Sequence, residues 1–207
     1  MAHVKKTDKK NITLAMTGAS GAAYGLRLLE CLLTANYHVY FMMSDAARTV
    51  ALMEMGLTLP AEPANLETAL QQRYETKAGR LQVFALQDWL APPASGTGGK
   101  IPMIICPASG GLVSAIACGA STNLIQRAAD VAIKEKRPLI IVPREMPSSA
   151  IHLENQLKLA RLGATIMPAS PGFYQNPRSI DDLVDFVVAR ILDQLDIEHS
   201  LLPRWGQ

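Results

Sequence analysis

The stretch that most constrains this chain is an apolar run followed at once by small residues and then by a helical pattern. Residues 12–16 (ITLAM) read as a buried strand, and Thr17-Gly18-Ala19-Ser20-Gly21 breaks it. Leu26, Leu29 and Leu33 then recur at i, i+3 and i+7, the period of a helix with one apolar face. Strand, glycine turn and helix form the opening unit of a nucleotide-binding α/β fold. Glycine permits positive φ and lets the backbone come close to a ligand. The N–H groups and dipole at the helix start favour an anion there, most often a phosphate. Ser20 adds a hydroxyl at the mouth of that turn. The spacing of Gly18, Gly21 and Gly25 is G-x-x-G-x-x-x-G. That is neither the dinucleotide fingerprint nor a P-loop, which would carry a Lys-Ser or Lys-Thr pair. A mononucleotide such as FMN is as easy to place there as a dinucleotide, and a tight turn with no ligand has the same sequence.

Strands and helices alternate along the rest of the chain. Residues 38–43 (HVYFMM) read as the second strand, ending at Ser44, and residues 46–55 as a helix closed by Gly56. Residues 65–77 read as a helix, 81–85 as a short strand, and 91–100 (APPASGTGGK) as the most flexible interior stretch. The strand at 102–106 runs into Pro107-Ala108-Ser109-Gly110-Gly111, a second turn of small residues. Helices at 112–118 and 123–134, a strand at 138–142, a helix at 149–162, a short strand at 164–167 and a helix from Ser179 to about residue 195 complete the pattern. Ser179 and Asp182 have the spacing of a capping box. This alternation predicts a single-domain, three-layer α/β fold: a doubly wound parallel sheet, Rossmann- or flavodoxin-like, with helices on both faces. Ligands of such sheets bind beyond the carboxyl ends of the strands, where Ser20, Ser44, Ser109, Arg144, Glu145 and Tyr174 fall.

Composition excludes more than it assigns. At 207 residues and 49% apolar, the chain has ample material for one core, and a net charge of +2 carries no nucleic-acid or membrane signal. The uncharged run 101–126 is long enough to suggest a membrane span, but Pro107, Gly110, Gly111 and Gly119 interrupt it, so it reads as strand, turn and helix. Cys31, Cys106 and Cys118 are odd in number, lack metal-ligand spacing and lie in apolar contexts. They read as buried small hydrophobes of a chain kept in a reducing cytoplasm. No apolar leader opens the sequence. Residues 1–10 read as a disordered basic tail, 11–197 as the α/β domain, and 198–207 as a C-terminal tail packing on the site or on a neighbouring subunit.

Several strings are specific to one family. TGASGAAYGLRLL, the strand end at Ser44, NLIQRAADVAIKEKRPLIIVPRE, PGFYQNPRSIDDLVDFVVARIL and the terminal LLPRW together resemble UbiX-type flavin prenyltransferases over nearly the whole chain after residue 11. The resemblance implies transfer of the dimethylallyl group of dimethylallyl monophosphate to reduced FMN, with bonds at N5 and C6. The prenylated FMN serves a UbiD-type decarboxylase, as in ubiquinone biosynthesis. It also implies metal-independent catalysis and a homo-oligomer, a dodecamer in the family, with sites at subunit contacts. FMN is expected at Gly18, Ala19, Ser20, Ser44, Ser109, Gly110, Gly111, Leu112 and Arg127. The prenyl phosphate is expected at Lys134, Arg144, Tyr174 and Arg190, with Trp89 and Trp205 near the prenyl group. Ser20, Glu54, Glu145 and Tyr174 are the expected catalytic set.

The chemistry of that set is coherent. Arg and Lys neutralise a departing phosphate, aromatic faces hold an allylic cation, and a carboxylate can move the proton lost at C6. The same residues also have plainer readings. Arg127, Lys134 and Arg190 suit solvated helix faces, Glu145 could pair with Arg144 or Lys134, and His38 and His152 fit no triad or metal spacing. Where many family members carry Cys-Ser-x-x-Thr, this chain has Ala108-Ser109-Gly110-Gly111-Leu112 and lacks the Thr hydroxyl. The other readings are an FMN-dependent decarboxylase of the same superfamily and a non-catalytic flavin carrier. The first would need no phosphate-binding cations; the second would have lost them.

Overall fold

The computed structural model describes residues 10–77 and 79–202. Trp205 and all but the last residue of the basic N-terminal tail lie outside the described residues. The elements are β1 (Asn11–Met16), α1 (Ala22–Thr34), β2 (His38–Met43), α2 (Asp45–Met55), α3 (Pro63–Arg73), β3 (Leu81–Val83), β4 (Met103–Ala108), α4 (Gly110–Ala117), α5 (Leu124–Lys134), β5 (Leu139–Pro143), α6 (Ala150–Arg161), β6 (Thr165–Ile166) and α7 (Ile180–Asp193). All strand pairs are parallel, and the six-stranded sheet runs β3-β2-β1-β4-β5-β6. The doubly wound, three-layer fold expected from the alternation is the one observed.

The period of two along each strand divides the core. Ile12, Leu14, Met16, Val39, Phe41 and Met43 pack on one face beneath α1, α2, α3 and α7. Ala15, Tyr40, Met42 and Ile105 pack on the other with apolar residues of α4, α5 and α6. The strands are therefore apolar on both sides, as a covered parallel sheet requires. In α1, a Cβ on Gly25 would stand 2.4 Å from the Cys106 carbonyl oxygen, so glycine is what lets the helix lie this close to the sheet.

Departures from the expected boundaries have local causes. α3 starts at Pro63, whose missing N–H is no loss in a first turn. It ends at Arg73, because Tyr74 turns away to donate its hydroxyl to the Leu26 carbonyl at 3.1 Å. β4 runs on through Pro107 to Ala108, and its pairing with β5 shifts between Ile105 and Ala108. The 91–100 stretch lies on the surface but is tied down. Arg137, 6% exposed, donates to the Ser95 and Gly96 carbonyls at 3.0 and 2.7 Å, and Arg127 donates to the Ala94 carbonyl at 3.3 Å. Of the cysteines, only Cys106 is fully buried; Cys118 caps the short α4 at the surface and is exposed, contrary to the sequence expectation.

The sheet order reverses direction between β1 and β4, and Thr17 joins the two strands there. Its hydroxyl donates to the Pro107 carbonyl at 3.0 Å and accepts from the Ser109 N–H at 2.9 Å. Its own N–H also reaches the Pro107 carbonyl at 3.1 Å. The residue is 5% exposed, so losing the hydroxyl strands the Ser109 N–H away from water. Thr17→Val keeps the shape and is expected to cost about 1–3 kcal/mol, read as a lower urea midpoint at unchanged slope.

Candidate functional site

The carboxyl ends of β1, β4 and β5 bring the two glycine turns and the Arg144-Glu145 pair to one edge. In the first turn, Gly18 lies against α2, where a Cβ would stand 2.4 Å from the Ala46 Cβ. Ala19 is buried, and Gly21 takes φ 109°, the left-handed conformation that glycine tolerates. Ser44 and Ser109 are N-caps. The Ser44 Oγ accepts from the Ala47 N–H at 3.1 Å, and the Ser109 Oγ from the Leu112 N–H at 3.4 Å. Gly110 and Leu112 are buried at the start of α4, whereas Gly111 is exposed.

The start of α1 is occupied from within. The Glu54 carboxylate, from the last turn of α2, accepts from the Gly21 N–H at 3.1 and 2.9 Å and from the Ala22 N–H at 2.9 Å. An anion therefore does sit at this helix start, as the dipole favours, but it is a side chain. Partial burial works to raise the Glu54 pKa. Hydrogen bonds from the Ser20 hydroxyl and from the Gly21 and Ala22 N–H groups, with the Arg144 charge, outweigh it and hold the carboxyl below the usual range. Ser20 is thus an exposed donor already engaged with Glu54.

The second turn repeats the arrangement in weaker form. The Glu145 carboxylate accepts from the Gly110 N–H at 3.3 Å. Among the described residues Glu145 forms no ion pair, so the pairing with Arg144 or Lys134 of its plainer reading is absent. Arg144 has a buried Nε with no hydrogen-bond partner. Ser20, Glu54, Arg144, Glu145 and the Ser109–Leu112 turn therefore form one cluster. Its buried unsatisfied atom is the Arg144 Nε, on a guanidinium whose charge acts on Glu54.

Other expected residues lie apart. Trp89 is 48% exposed on the loop after β3. Tyr174, on the loop after β6, is 56% exposed and meets the Phe186 ring edge-on at 5.4 Å. Arg127 pairs with Asp130 at 3.1 Å, Lys134 with Glu135 at 3.3 Å and Arg190 with Asp193 at 2.6 Å. Lys134 ends α5 just before β5, and Arg190 lies in the last turn of α7. Both helices run back toward the amino ends of the strands, so within one chain these two cations are on the opposite edge from the cluster. Sequence reasoning missed Thr17 and Tyr24. Thr17 could have been suspected as the polar residue that ends an apolar strand. Tyr24 is concealed in the helical pattern of α1; burial, with Cys106 and Glu54 nearby, pushes its phenol pKa up.

Glycine turns meeting at the switch point of a parallel sheet, with an unsatisfied arginine nitrogen beside them, define an anion-handling nucleotide-type α/β protein. Residues 1–192 match the flavoprotein family. The chain is 57% identical to the flavin prenyltransferase UbiX of Pseudomonas aeruginosa over 96% of this chain and 95% of that protein. It resembles the crystal structure of AnUbiX (PadA1) in complex with FMN and dimethylallyl pyrophosphate at 37% identity and TM-score 0.85, covering 96% of this chain and 98% of that one. A dodecameric FMN-dependent UbiX-like decarboxylase from Escherichia coli O157:H7 matches at 36% identity and TM-score 0.83, covering 95% and 100%. The chain belongs to the flavoprotein family and, within it, to the UbiX-type flavin prenyltransferases.

The Glu54 contact has a pH signature. Because the folded state depresses its pKa, ionised Glu54 stabilises the fold above the ordinary carboxylate pKa, and that contribution is lost as pH falls through the lower folded value. Between pH 6 and pH 3 the wild-type melting temperature is therefore expected to fall further than that of Glu54→Gln. Parallel melting curves across that range check this.

Proposed function

We propose that this chain joins the dimethylallyl group of dimethylallyl monophosphate to N5 and C6 of reduced FMN, and that the prenylated flavin serves a UbiD-type decarboxylase in the cytoplasm. The C–O bond to phosphate breaks as the bond to N5 forms, and the proton displaced from N5 goes to the departing phosphate. Closure on C6 moves one proton onto the prenyl double bond and takes one from C6, so the products are prenylated reduced FMN and inorganic phosphate. The observation that carries the reading is the cluster itself: Arg144 has an unsatisfied buried nitrogen, flanked by carboxylates that can move protons, in a chain so similar to a flavin prenyltransferase.

The residues fit FMN and a phosphate ester. Small residues at Gly18, Ala19, Gly110 and Gly111 let a flat ring approach the backbone, and Ser20, Ser44 and Ser109 supply hydroxyls. The lost Thr hydroxyl at Leu112 leaves Ser109 and the backbone amides to make that contact. Arg144 is suited to the phosphate, Glu145 and Glu54 to proton movement, and Trp89 and Tyr174 to the prenyl group.

The assignment needs more than one copy of the chain. Lys134, Arg190 and Arg127 join the site from neighbouring subunits in this reading. Apolar surface supports it: α6 buries only Leu159 and leaves Ile151, Leu153 and Leu157 more than 45% exposed, while Leu90 and Met146 are 96% and 88% exposed. Patches of this kind mark contacts between proteins. A dodecamer, as in the Escherichia coli relative, is the expected assembly.

Anaerobic mixing of the protein with reduced FMN and dimethylallyl monophosphate is expected to give a flavin heavier by one dimethylallyl unit, with or without a chelator. Unchanged flavin mass, or a requirement for Mg²⁺, rejects the proposal. Tighter binding of FAD or NAD than of FMN would also count against it. Glu145→Gln is expected to slow product formation by about 10²-fold or more while melting temperature and FMN affinity change little. An unaltered single-turnover rate would return Glu145 to loop ordering.

A further inference from the structure

The start of α6 carries a histidine where a capping box ordinarily carries Glu or Gln. Ser149 is the N-cap; its Oγ accepts from the His152 N–H at 3.3 Å, and His152 Nδ1 accepts from the Ser149 N–H at 3.3 Å. In the neutral ring an accepting Nδ1 leaves the proton on Nε2. That edge of the ring faces the first turn of α4. A Cβ placed on Gly110 would stand 3.0 Å from His152 Nε2 and 3.0 Å from Glu145 Oε1, so the two side-chain atoms lie within about 6 Å of each other. Gly110 N–H in turn holds Glu145 Oε1 at 3.3 Å. A side chain on residue 110 would fill the space between them, and this chain has none there.

The geometry points to His152 as a positioning residue for Glu145: its Nε2–H fixes the carboxylate over the start of α4 for the proton transfer of prenylation. Capping alone would be met by Gln, which lacks the ring that extends to Glu145. The separation exceeds a direct ion pair and is closed by rotation of the exposed Glu145 side chain or by one bridging water. α4, which packs on α6, carries no charged side chain, and neither does β6. The charged groups on the adjoining segments are Arg144 and Glu145 after β5, and Glu154, Lys158 and Arg161 on α6 itself. α6 is braced against α4 by the Asn155 Nδ2 bond to the Ser114 Oγ at 2.9 Å, so the ring is held at a fixed height over Gly110.

The role rests on the function proposed above, and the test separates the two. His152→Gln retains the capping box and is expected to melt with the wild type and bind FMN equally. Its kcat should drop by about 10- to 10²-fold with little change in KM. In a Glu145→Gln background the same change should add almost nothing. If His152→Gln folds poorly, His152→Asn, whose Oδ1 stands in for Nδ1, takes its place. A ligand-free reading comes from the His152 ring nitrogens followed by NMR, where Glu145→Gln should move the Nε2 resonance and leave Nδ1, held by the Ser149 N–H, in place. A wild-type rate in His152→Gln, an equal loss in both backgrounds, or an unmoved Nε2 resonance overturns the role. Absence of prenyl transfer by the unaltered protein overturns the function itself, and the role with it.

Discussion

The buried hydroxyl of Thr17 is the contact on which the geometry of this edge depends. β1 and β4 are neighbours only because the sheet order reverses between them, and their two turns must then be held at a fixed separation. Thr17 does this with one atom that gives a hydrogen bond to Pro107 and takes one from Ser109. Ser109 thereby keeps its place as the cap of α4, and Gly110 is presented to Glu145. The partners are 92 residues apart in sequence. A loop closed over that distance gains nothing until the intervening strands have paired.

The two carboxylates show how the fold deals with its helix starts. Free N–H groups at the beginning of a helix must find an acceptor. At α1 the acceptor is Glu54 and at α4 it is Glu145. The difference between them lies in the number of bonds. Glu54 takes hydrogen bonds from Gly21, Ala22 and Ser20 and is held ionised, whereas Glu145 takes one long bond and stays exposed. Of the two, Glu145 is the less firmly held. Glu54 is the better fixed charge.

Much of this was legible in the sequence. Apolar runs bounded by small residues marked the strands, and the two glycine turns marked the edge where the cluster forms. Short-range caps such as Ser179 with Asp182 were legible too, because the partners lie within one turn. Contacts between distant residues were not. Nothing in the spacing of Gly21 and Glu54, 33 residues apart, says that one carboxylate will fill the other's helix start. The turn at Ala91 to Lys100 looks loose by composition, and three contacts from Arg137 and Arg127 that no local pattern encodes tie it down. The lysine and arginine of α5 and α7 were legible as cations, but their edge of the sheet follows only from the direction in which each helix runs.

That direction bears on how a phosphate ester could be held at all. At the carboxyl edge Arg144 stands beside two carboxylates, and a doubly charged phosphate brought there by one chain alone would meet more negative charge than positive. Like charges at contact distance cost several kcal/mol in a partly desolvated site. Lys134 and Arg190 are engaged only with neighbouring acids, Glu135 and Asp193, through exposed pairs worth little, so exchanging those partners for a phosphate costs little. A second copy that carries its amino edge to the first copy's carboxyl edge reverses the charge balance without altering either fold. The apolar face of α6 and the exposed Leu90 and Met146 give such copies a reason to associate, since burying them removes surface that the single chain leaves in water. Assembly and phosphate binding would then be coupled: the contact that covers apolar surface is also the one that supplies the missing cations.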